Sequence, residues 1–255
     1  MAEIFSSSKG FLEQLIHKLE VDKNHEISHI SLVIQTLNGS TLEKNDLSNE
    51  SVNIINKLTS VIPKFNCKLV NDISQKESKL DFLINNAGAA WGAPIDEYPE
   101  NGWDKVMDTN VKGIFFLTQK LLPMLRSAAK ETPARVVNIG SIDGLTSGSF
   151  ENFAYGPSKA AVHHLTRVLA ANLISENIIV NAIAPGPFPT WMLSTGVGFG
   201  GETEVDWSEV GKANPSGRVG DMKDIAGLAI FLCSRASEYV VGQTIACDGG
   251  SVASK

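Results

Sequence analysis

Cysteine is scarce in this chain of 255 residues, which has only Cys67, Cys233 and Cys247. Their odd number and wide separation argue against a disulfide framework and match no metal-ligand spacing. We therefore interpret them as small buried side chains of a protein from a reducing compartment. The paired histidines His163 and His164 also lack neighbours that would complete a metal site. We expect no metal, and we expect both histidines on a helix surface or at a subunit contact.

Long apolar runs and an excess of basic charge are also missing. No apolar stretch approaches the roughly 18 residues of a membrane-spanning helix. Met1–Lys9 lacks the basic start and apolar run of a signal peptide. The formal net charge of −6 offers no attractive surface to nucleic acid or to an anionic membrane. The sequence thus predicts a cytoplasmic protein without nucleic-acid or membrane partners.

Short β-branched runs alternate with longer amphipathic stretches from residue 80 onward. The short runs predict strands at Leu80–Ile84, Arg135–Ile139, Ile178–Ile183 and Gln243–Ala246. The longer stretches predict helices at Trp103–Leu125, Tyr155–Leu173 and Asp221–Leu232. This alternation predicts a doubly wound parallel α/β sheet with helices on both faces. No linker interrupts the pattern, so we expect one domain over residues 1–255.

The pattern is weaker before residue 80, and the sheet is expected to be shortened at this N-terminal edge. Apolar spacing predicts helices at Phe11–Leu19 and Ser48–Leu58. Short apolar runs predict strands at Ile30–Ile34 and Cys67–Val70.

Tyr155 and Lys159 are four residues apart, so a helix places both side chains on one face, about 5–6 Å apart at Cβ. A phenol has a pKa near 10, and a nearby ammonium lowers it by stabilising the phenolate. A shift of about 3 units requires roughly 4 kcal/mol of differential interaction. The pair predicts general acid catalysis at a carbonyl or alcohol oxygen.

The Tyr155 helix has a clear beginning. Pro157 falls within its first turn, where a missing N–H does no harm. A predicted apolar stripe then follows three- and four-residue spacing: Val162, Leu165, Val168, Leu169 and Leu173. Tyr155 and Lys159 therefore lie at the sheet edge, where open α/β sheets form ligand crevices at the carboxyl ends of their strands.

Four ordered phrases give the chain a family resemblance: Asn85–Gly92 (NNAGAAWG), Asn138–Ser141 (NIGS), Ala154–Ala161 (AYGPSKAA) and Ile183–Pro189 (IAPGPFP). Each phrase alone is a weak match, but their shared order and spacing are specific. From about Leu80 to its end, the chain resembles the short-chain dehydrogenase/reductase family, which has a Rossmann-like fold. The sequences of these four phrases are most similar to those of the NADPH-dependent 3-oxoacyl reductases, including the rhamnolipid-type enzymes.

The resemblance implies a role for each catalytic candidate. Tyr155 would protonate the carbonyl oxygen during reduction. Lys159 would lower the pKa of Tyr155 and bind the nicotinamide ribose. Ser141 would hydrogen-bond the substrate oxygen, and Asn110 would hold a water that connects Lys159 to solvent.

The resemblance also implies a cofactor, with NADP(H) favoured over NAD(H). Residues expected to line its site are Asn86, Ala87, Gly88, Pro185, Gly186 and Thr190, together with Tyr155 and Lys159. The region Gln35–Asn38 has no acid that would hold the ribose hydroxyls of NAD. Lys9 lies where relatives often have a basic residue near a 2′-phosphate, although a solvated surface lysine is the competing interpretation.

The N-terminal part departs from the family pattern. Of the expected glycine-rich phosphate loop, the segment Phe5–Leu12 keeps only Gly10. The family's adenine-contacting aspartate is assigned to Asp72, because the predicted strand Cys67–Val70 precedes it; Asp46 is the alternative.

Three interpretations of function follow. In the first, the chain reduces a 3-oxoacyl-like ketone to a secondary alcohol, with apolar residues flanking the cleft: Trp91, Phe188, Trp191 and Met192. These residues could equally be core or subunit packing. In the second, a non-catalytic binding or scaffold protein has lost dinucleotide affinity. In the third, the N-terminus comes from a mis-assembled gene or splice variant. The resemblance implies a homodimer or homotetramer formed through the two long helices.

Overall fold

The computed structural model describes residues 32–34, 69–147, 151–194 and 205–254. Within these ranges five strands form one sheet in chain order: β1 (Leu32–Ile34), β2 (Phe82–Asn85), β3 (Ala134–Ile139), β4 (Ile178–Pro185) and β5 (Thr244–Cys247). Every neighbouring pair is parallel. The parallel sheet is confirmed, and β2 to β5 begin and end within two residues of the predicted bounds.

The helices follow the predicted alternation. Six of them are α1 (Glu100–Met107), α2 (Gly113–Ala128), α3 (Tyr155–Leu173), α4 (Trp191–Ser194), α5 (Trp207–Ala213) and α6 (Met222–Cys233), and residues 69–74 are also helical. Helix α3 has the predicted bounds. Helix α6 is capped by a reciprocal pair in which the Asp221 carboxylate accepts from the Asp224 N–H and the Asp224 carboxylate accepts from the Asp221 N–H.

The long helix predicted at Trp103–Leu125 is interrupted by a wider turn. Asp108–Lys112 forms a π-helical turn between α1 and α2, and the N–H of Gly113 donates to the carbonyl of Asp108. Such turns place one extra residue in the helix and often occur at functional sites. Here the turn contains Asn110, one of the four predicted catalytic residues.

Helices cover both faces of the sheet. On one face, residues of α2 and α3 pack with the strands in a cluster that includes Leu83, Leu121 and Val136. On the other face, α6 packs against Ile84 and Val137. Neighbouring residues of a strand point to opposite faces, which is why Val136 and Val137 belong to different clusters. The doubly wound arrangement is confirmed.

The predicted strand at Cys67–Val70 is wrong for its described residues. Residues 69–74 are helical, and Leu69 and Ile73 are buried in the same cluster as Leu80. A short apolar run is compatible with a strand or with one buried helical turn, and here the helical turn forms. Asp72 lies in this helix, which packs near the beginning of β2 rather than at a carboxyl end. The placement removes the reason for assigning Asp72 to the adenine site.

The predicted apolar stripe of α3 is also partly wrong. Val162 and Leu173 are buried, but Val168 is 43% exposed. The buried face of the helix instead includes polar residues: Ser158, Lys159, His163 and Thr166. These polar residues have hydrogen-bond partners in the surrounding elements: Ser158 bonds Asn110, Lys159 and Thr166 bond residues of β3, and His163 bonds Ser141.

Several predictions lie outside the described residues: Lys9, Gly10, Asp46, Cys67, the segment Gln35–Asn38 and the helices at Phe11–Leu19 and Ser48–Leu58. Within the described ranges, every helix is too short or too polar to span a lipid bilayer. The two cysteines there, Cys233 and Cys247, are free thiols. No group of three or more His, Cys, Asp or Glu side chains in these ranges could hold a metal ion.

Candidate active site

The predicted catalytic residues converge at the carboxyl ends of the strands. Ser141 follows β3, and the loop Asn86–Gly88 follows β2. Tyr155 is the first residue of α3, so its side chain lies at the edge of the sheet, as expected. Asn110 comes from the π-helical turn and hydrogen-bonds the residue after Gly88. The structure thus brings together residues from four separated parts of the chain.

Tyr155 and Lys159 share one face of α3, and the Lys159 ammonium lies 5.5 Å from the centre of the tyrosine ring. The lysine is buried and donates from Nζ to the carbonyl of Ile139 at 2.9 Å. Burial lowers the pKa of Lys159 to about 8. A lysine with this pKa still carries its proton at pH 7, but loses it at a lower pH than an exposed lysine does.

Burial also raises the pKa of Tyr155 to about 12, although the hydrogen bond from the Ser141 hydroxyl acts in the opposite direction and the charge of Asp143 raises the value further. The expected lowering by Lys159 is therefore not seen in the protein alone. The physical reason is that removing a phenolate from water outweighs its favourable contacts. The phenol stays protonated at neutral pH.

Ser141 is buried, and its backbone and hydroxyl are both held. The N–H of Asp143 donates to the Ser141 hydroxyl oxygen at 3.2 Å, and the same hydroxyl is a hydrogen-bond partner of Tyr155. The N–H of Ser141 points to Nε2 of His163 at 3.4 Å. The two hydroxyls of Ser141 and Tyr155 are adjacent, so together they can donate to a single oxygen atom.

Asn110 is completely buried and connects three segments. Its amide nitrogen donates to the carbonyl of Ala89 and to the hydroxyl of Ser158, both at 2.9 Å. Its amide oxygen accepts from the N–H of Ala89 at 2.7 Å. Both amide hydrogens are therefore in use, and the side chain fixes the loop after β2 to α3. Its role in holding a water remains a prediction.

The residues expected to line a cofactor lie along the same edge. Ala87 is buried, Asn86 is exposed, and Gly88 is partly open. A Cβ added at Gly88 would lie 3.6 Å from Nζ of Lys159 and 3.7 Å from Oδ1 of Asn110. The absence of a side chain at Gly88 therefore leaves a surface beside the Lys159 ammonium, which we call the shelf. A planar ring and a ribose hydroxyl could reach this shelf without a side chain in the way.

The other wall of the cleft begins at the end of β4. Pro185 and Gly186 are partly buried, and Thr190 is exposed, where its hydroxyl accepts from the N–H of Leu193 at 3.4 Å. A Cβ at Gly186 would lie 2.7 Å from Cα of Asp248, so this position requires glycine. The role of these residues in binding a nicotinamide and its ribose remains a prediction.

The apolar residues predicted to flank the cleft have different positions. The Met192 side chain extends to 3.9 Å from the Cβ position of Gly88, so it borders the shelf. Phe188 is buried against Gly220, and Trp91 packs on Gly102 with Lys105 5.5 Å from its ring. These two residues serve local packing. The side chain of Trp191 lies outside the described part of the chain.

Two residues near the site escaped the sequence analysis. Tyr98 donates from its hydroxyl to the carbonyl of Trp91 at 3.0 Å and accepts from the N–H of Ala154, the residue before Tyr155. His163 was expected at the surface, but it is 2% exposed and lies under Ser141. Its spacing of four residues from Lys159 was the available signal, since residues four apart share a helix face.

Comparisons with known proteins agree with this geometry. A family model described as enoyl-(acyl carrier protein) reductase matches residues 64–252. The rhamnolipids biosynthesis 3-oxoacyl-[acyl-carrier-protein] reductase of Pseudomonas aeruginosa is 45% identical over 184 residues, which are 72% of this chain and 70% of the relative. A 3-oxoacyl-[acyl-carrier-protein] reductase of Thermotoga maritima is 36% identical over 185 residues, 72% of this chain and 71% of the relative.

Among solved structures, the NADP active-site complex of the Pseudomonas aeruginosa protein RhlG superimposes with a TM-score of 0.67 at 38% identity, covering 78% of this chain and 77% of the other. A structure of acetoin dehydrogenase from Enterobacter cloacae gives a TM-score of 0.66 at 30% identity, covering 79% of this chain and 75% of the other. The chain therefore belongs to the short-chain dehydrogenase/reductase family of NAD(P)-dependent oxidoreductases.

Proposed function

We propose that this chain reduces a ketone, of the 3-oxoacyl type, to a secondary alcohol, with NADP(H) as cofactor and Tyr155 as general acid. The observation that carries the proposal is the adjacency of the Ser141 and Tyr155 hydroxyls above the buried ammonium of Lys159. A carbonyl oxygen placed between the hydroxyls would accept two hydrogen bonds. Both bonds would strengthen as negative charge develops on that oxygen.

The protonation state of Tyr155 suits this direction of reaction. A pKa raised to about 12 keeps the phenol protonated at neutral pH, as a general acid requires. After proton transfer, the phenolate would face the Lys159 side chain, whose Nζ lies 5.5 Å from the ring centre. The ammonium would then stabilise the anion by opposite charge.

The chain's own residues support the cofactor in the described half of its site. Lys159, Gly88, Pro185 and Gly186 would hold the nicotinamide ribose and ring at the shelf beside Tyr155. When bound, the nicotinamide supplies the hydride. NADP(H) is preferred over NAD(H) because a similar protein, RhlG, is known as an NADP complex and because the segment Gln35–Asn38, after the predicted strand Ile30–Ile34, has no acid.

The named substrates of the relatives support a ketone more than an alkene. Two relatives are named 3-oxoacyl reductases, although the family model is described as an enoyl reductase. A 3-oxoacyl substrate has its ketone two carbons from the thioester, where Ser141 and Tyr155 can both reach the oxygen. Among the predicted apolar side chains that the structure describes, Met192 borders the shelf.

We further propose that the protein is a cytoplasmic homodimer or homotetramer that assembles through the helical run formed by α1 and α2 and through α3. Val168 on α3 is 43% exposed, and its burial in a subunit contact would remove apolar surface from water. Light scattering coupled to size exclusion measures the number of subunits. A monomer at micromolar concentration would contradict the proposal.

The function is tested with NADPH and the purified chain. Nicotinamide fluorescence should report binding, and absorbance should report NADPH consumption with a short 3-oxoacyl thioester but not with the enoyl thioester of equal length. The absence of binding at roughly 1 mM NADPH would instead support a non-catalytic protein. Faster consumption with the enoyl thioester would assign the chain to alkene reduction.

Replacing Tyr155 by Phe tests the assigned acid. The variant should keep its NADPH affinity and lose turnover by about a hundredfold or more, because the proton donor is gone while the ring remains. Tyr239→Phe is the matched control, since Tyr239 is fully exposed, and it should behave like the unmodified protein. Equal turnover of Tyr155→Phe and the control would disprove the role of Tyr155.

A further inference from the structure

We propose that His163 is a positioning residue for Ser141: its imidazole fills the underside of the turn at residues 140–144 and accepts a hydrogen bond from the Ser141 backbone. We call residues 140–144 the serine turn. The inference rests on the proposed function for its kinetic readout, but its structural readout does not require activity. His163 would act through Ser141 and would not contact the substrate.

His163 lies one helical turn after Lys159 on α3, on the same side of the helix as Tyr155 and Lys159. Tyr155, Lys159 and His163 follow one another at four-residue intervals and therefore share a helix face. His163 is 2% exposed, whereas the neighbouring His164 is exposed and its ring contacts Arg167. A buried polar ring is unfavourable unless it makes hydrogen bonds, so its location calls for a structural partner.

Glycines on both sides of Ser141 make room for the ring. A Cβ added at Gly140 would lie 2.1 Å from Nε2 of His163, and one at Gly144 would lie 2.6 Å from the α3 backbone at Lys159 and Ala160 and 2.8 Å from Cε1 of His163. Real Cβ atoms do not approach other atoms this closely. The serine turn therefore wraps the imidazole tightly, and the ring position and the Ser141 backbone position depend on each other.

The backbone of the serine turn is otherwise held at its two ends. The N–H of Gly140 donates to the carbonyl of Ile183 at 2.7 Å, and the N–H of Gly144 donates to the carbonyl of Ser141 at 3.0 Å. Between these bonds, the N–H of Ser141 has Nε2 of His163 as its acceptor at 3.4 Å. Losing this acceptor would leave a buried N–H without a partner and free the middle of the turn to shift.

The hydrogen bond requires a particular form of the ring. Nε2 can accept only when it carries no proton, so the neutral ring has its proton on Nδ1. The backbone of Gly144 lies near the ring and acts to raise the pKa of His163. No described residue forms a hydrogen bond with Nδ1 that meets the usual distance and angle limits. Burial and the charges of Lys159 and Arg167 lower the pKa of His163, which favours this neutral form.

Ser141 is sensitive to such a shift because it must reach two partners. Its hydroxyl is a hydrogen-bond partner of Tyr155 and accepts from the N–H of Asp143. A displacement of the backbone by about 1 Å would weaken the alignment of Ser141 with the substrate oxygen and with Tyr155, and misplacements of this size cost roughly a hundredfold in rate. Nicotinamide binding would change little, because His163 lies below the turn and away from Gly88.

The kinetic test compares two replacements of the ring. His163→Leu keeps the volume without an acceptor, and kcat for ketone reduction should fall roughly ten- to a hundredfold with unchanged NADPH affinity. His163→Gln keeps an acceptor and should recover a large part of kcat. His164→Gln is the control at an exposed position and should match the unmodified protein. A kcat for His163→Leu within twofold of the unmodified value would overturn the proposal.

The pH profile separates positioning from simple packing. Protonation of His163 removes the acceptor, so kcat of the unmodified protein should decline toward acidic pH, and His163→Gln should lack this decline. If His163 only fills space, the pH profiles of the unmodified protein and of His163→Gln should have the same shape. The same decline in both proteins would therefore contradict the proposal.

The structural test uses ¹⁵N-histidine labelling and the ring nitrogen shifts in the full chain, with His163→Gln to assign the signal. The expected result is a neutral His163 protonated at Nδ1, with hydrogen-bonded Nε2, at pH 7. A proton on Nε2 would overturn the proposal whether or not the protein reduces ketones. Absent ketone reduction with the expected ring form would contradict the proposed function alone.

Discussion

The two ends of the sheet are built from different kinds of side chain on the face covered by α2 and α3. At the amino ends, the space between sheet and helices is filled mainly by aliphatic residues: Leu69, Ile73, Leu80, Leu125 and Ile178. At the carboxyl ends, the buried residues are largely polar: Asn85, Asn110, Asn138, Ser141, Ser158 and Lys159. Apolar burial stabilises without direction, whereas buried polar groups fix geometry through hydrogen bonds.

A hydrogen-bonded ladder makes the transition between the two ends. Asn85 donates to Thr118 on α2 and to Asn138 on β3, and Asn138 donates to Thr166 on α3. The ladder fixes both helices to the strands one layer below the site. Apolar packing that stabilises the fold is thus concentrated at the amino ends and precise placement at the carboxyl ends, so substitutions at the two ends should affect different measurements.

The largest effect on stability is expected at the amino end. Leu125 is completely buried in the cluster between α2 and the sheet. Leu125→Ala should destabilise the protein by about 2–5 kcal/mol, because it removes buried methyl groups and leaves a cavity. Urea unfolding measures the loss, and kcat of the folded fraction should remain close to the unmodified value. A large fall in kcat with little loss of stability would contradict the assignment of stability to the amino ends and of placement to the carboxyl ends.

Much of the scaffold was predictable because its elements are locally encoded. The bounds of α3 match the prediction, since Pro157 marks its first turn and the pattern of apolar residues continues to Leu173. The carboxyl-end placement of Tyr155, Lys159 and Ser141 followed from parallel strands that alternate with helices. The roles assigned to these residues remain predictions that the proposed experiments test.

The features that escaped prediction depend on contacts between distant segments. His163 looks like a surface residue in its own helix, and it is buried because Gly140 and Gly144 open a slot for it. The helical turn at residues 69–74 could not be distinguished from a strand because one short apolar run suits both. The π-helical turn around Asn110 likewise depends on its bonds to Ala89 and Ser158.

The carboxyl end should show a cost in stability at Lys159. Burial lowers its pKa to about 8 from a usual value of 10.5, so below pH 8 the folded protein pays the full penalty of a buried ammonium. Between pH 8 and 10.5 the unfolded chain binds the proton more strongly, and this contribution to stability rises with pH by about 3 kcal/mol.

Lys159→Met isolates this contribution. Without cofactor at pH 7, the variant should be more stable by about 2 kcal/mol, since the removed penalty exceeds the lost hydrogen bond to Ile139. Its advantage should shrink as pH rises through 8 toward 10.5, and Lys223→Met, which changes the same side chain at an exposed position, is the matched control. The measurement is urea unfolding across this range, and a pH-independent difference would contradict the assigned cause.

The smallest effect on stability is expected at a position outside both the amino and the carboxyl end of the sheet. Gly227 lies on the exposed side of α6, and a Cβ added there would have no atom within 4 Å. Gly227→Ala should therefore stabilise the protein by about 0.5–1 kcal/mol, because alanine loses less backbone entropy in a helix. Gly140→Ala is the contrasting change, since its Cβ would collide with His163, and it should destabilise the protein. Stabilisation by both changes in thermal unfolding would contradict the need for glycine at position 140.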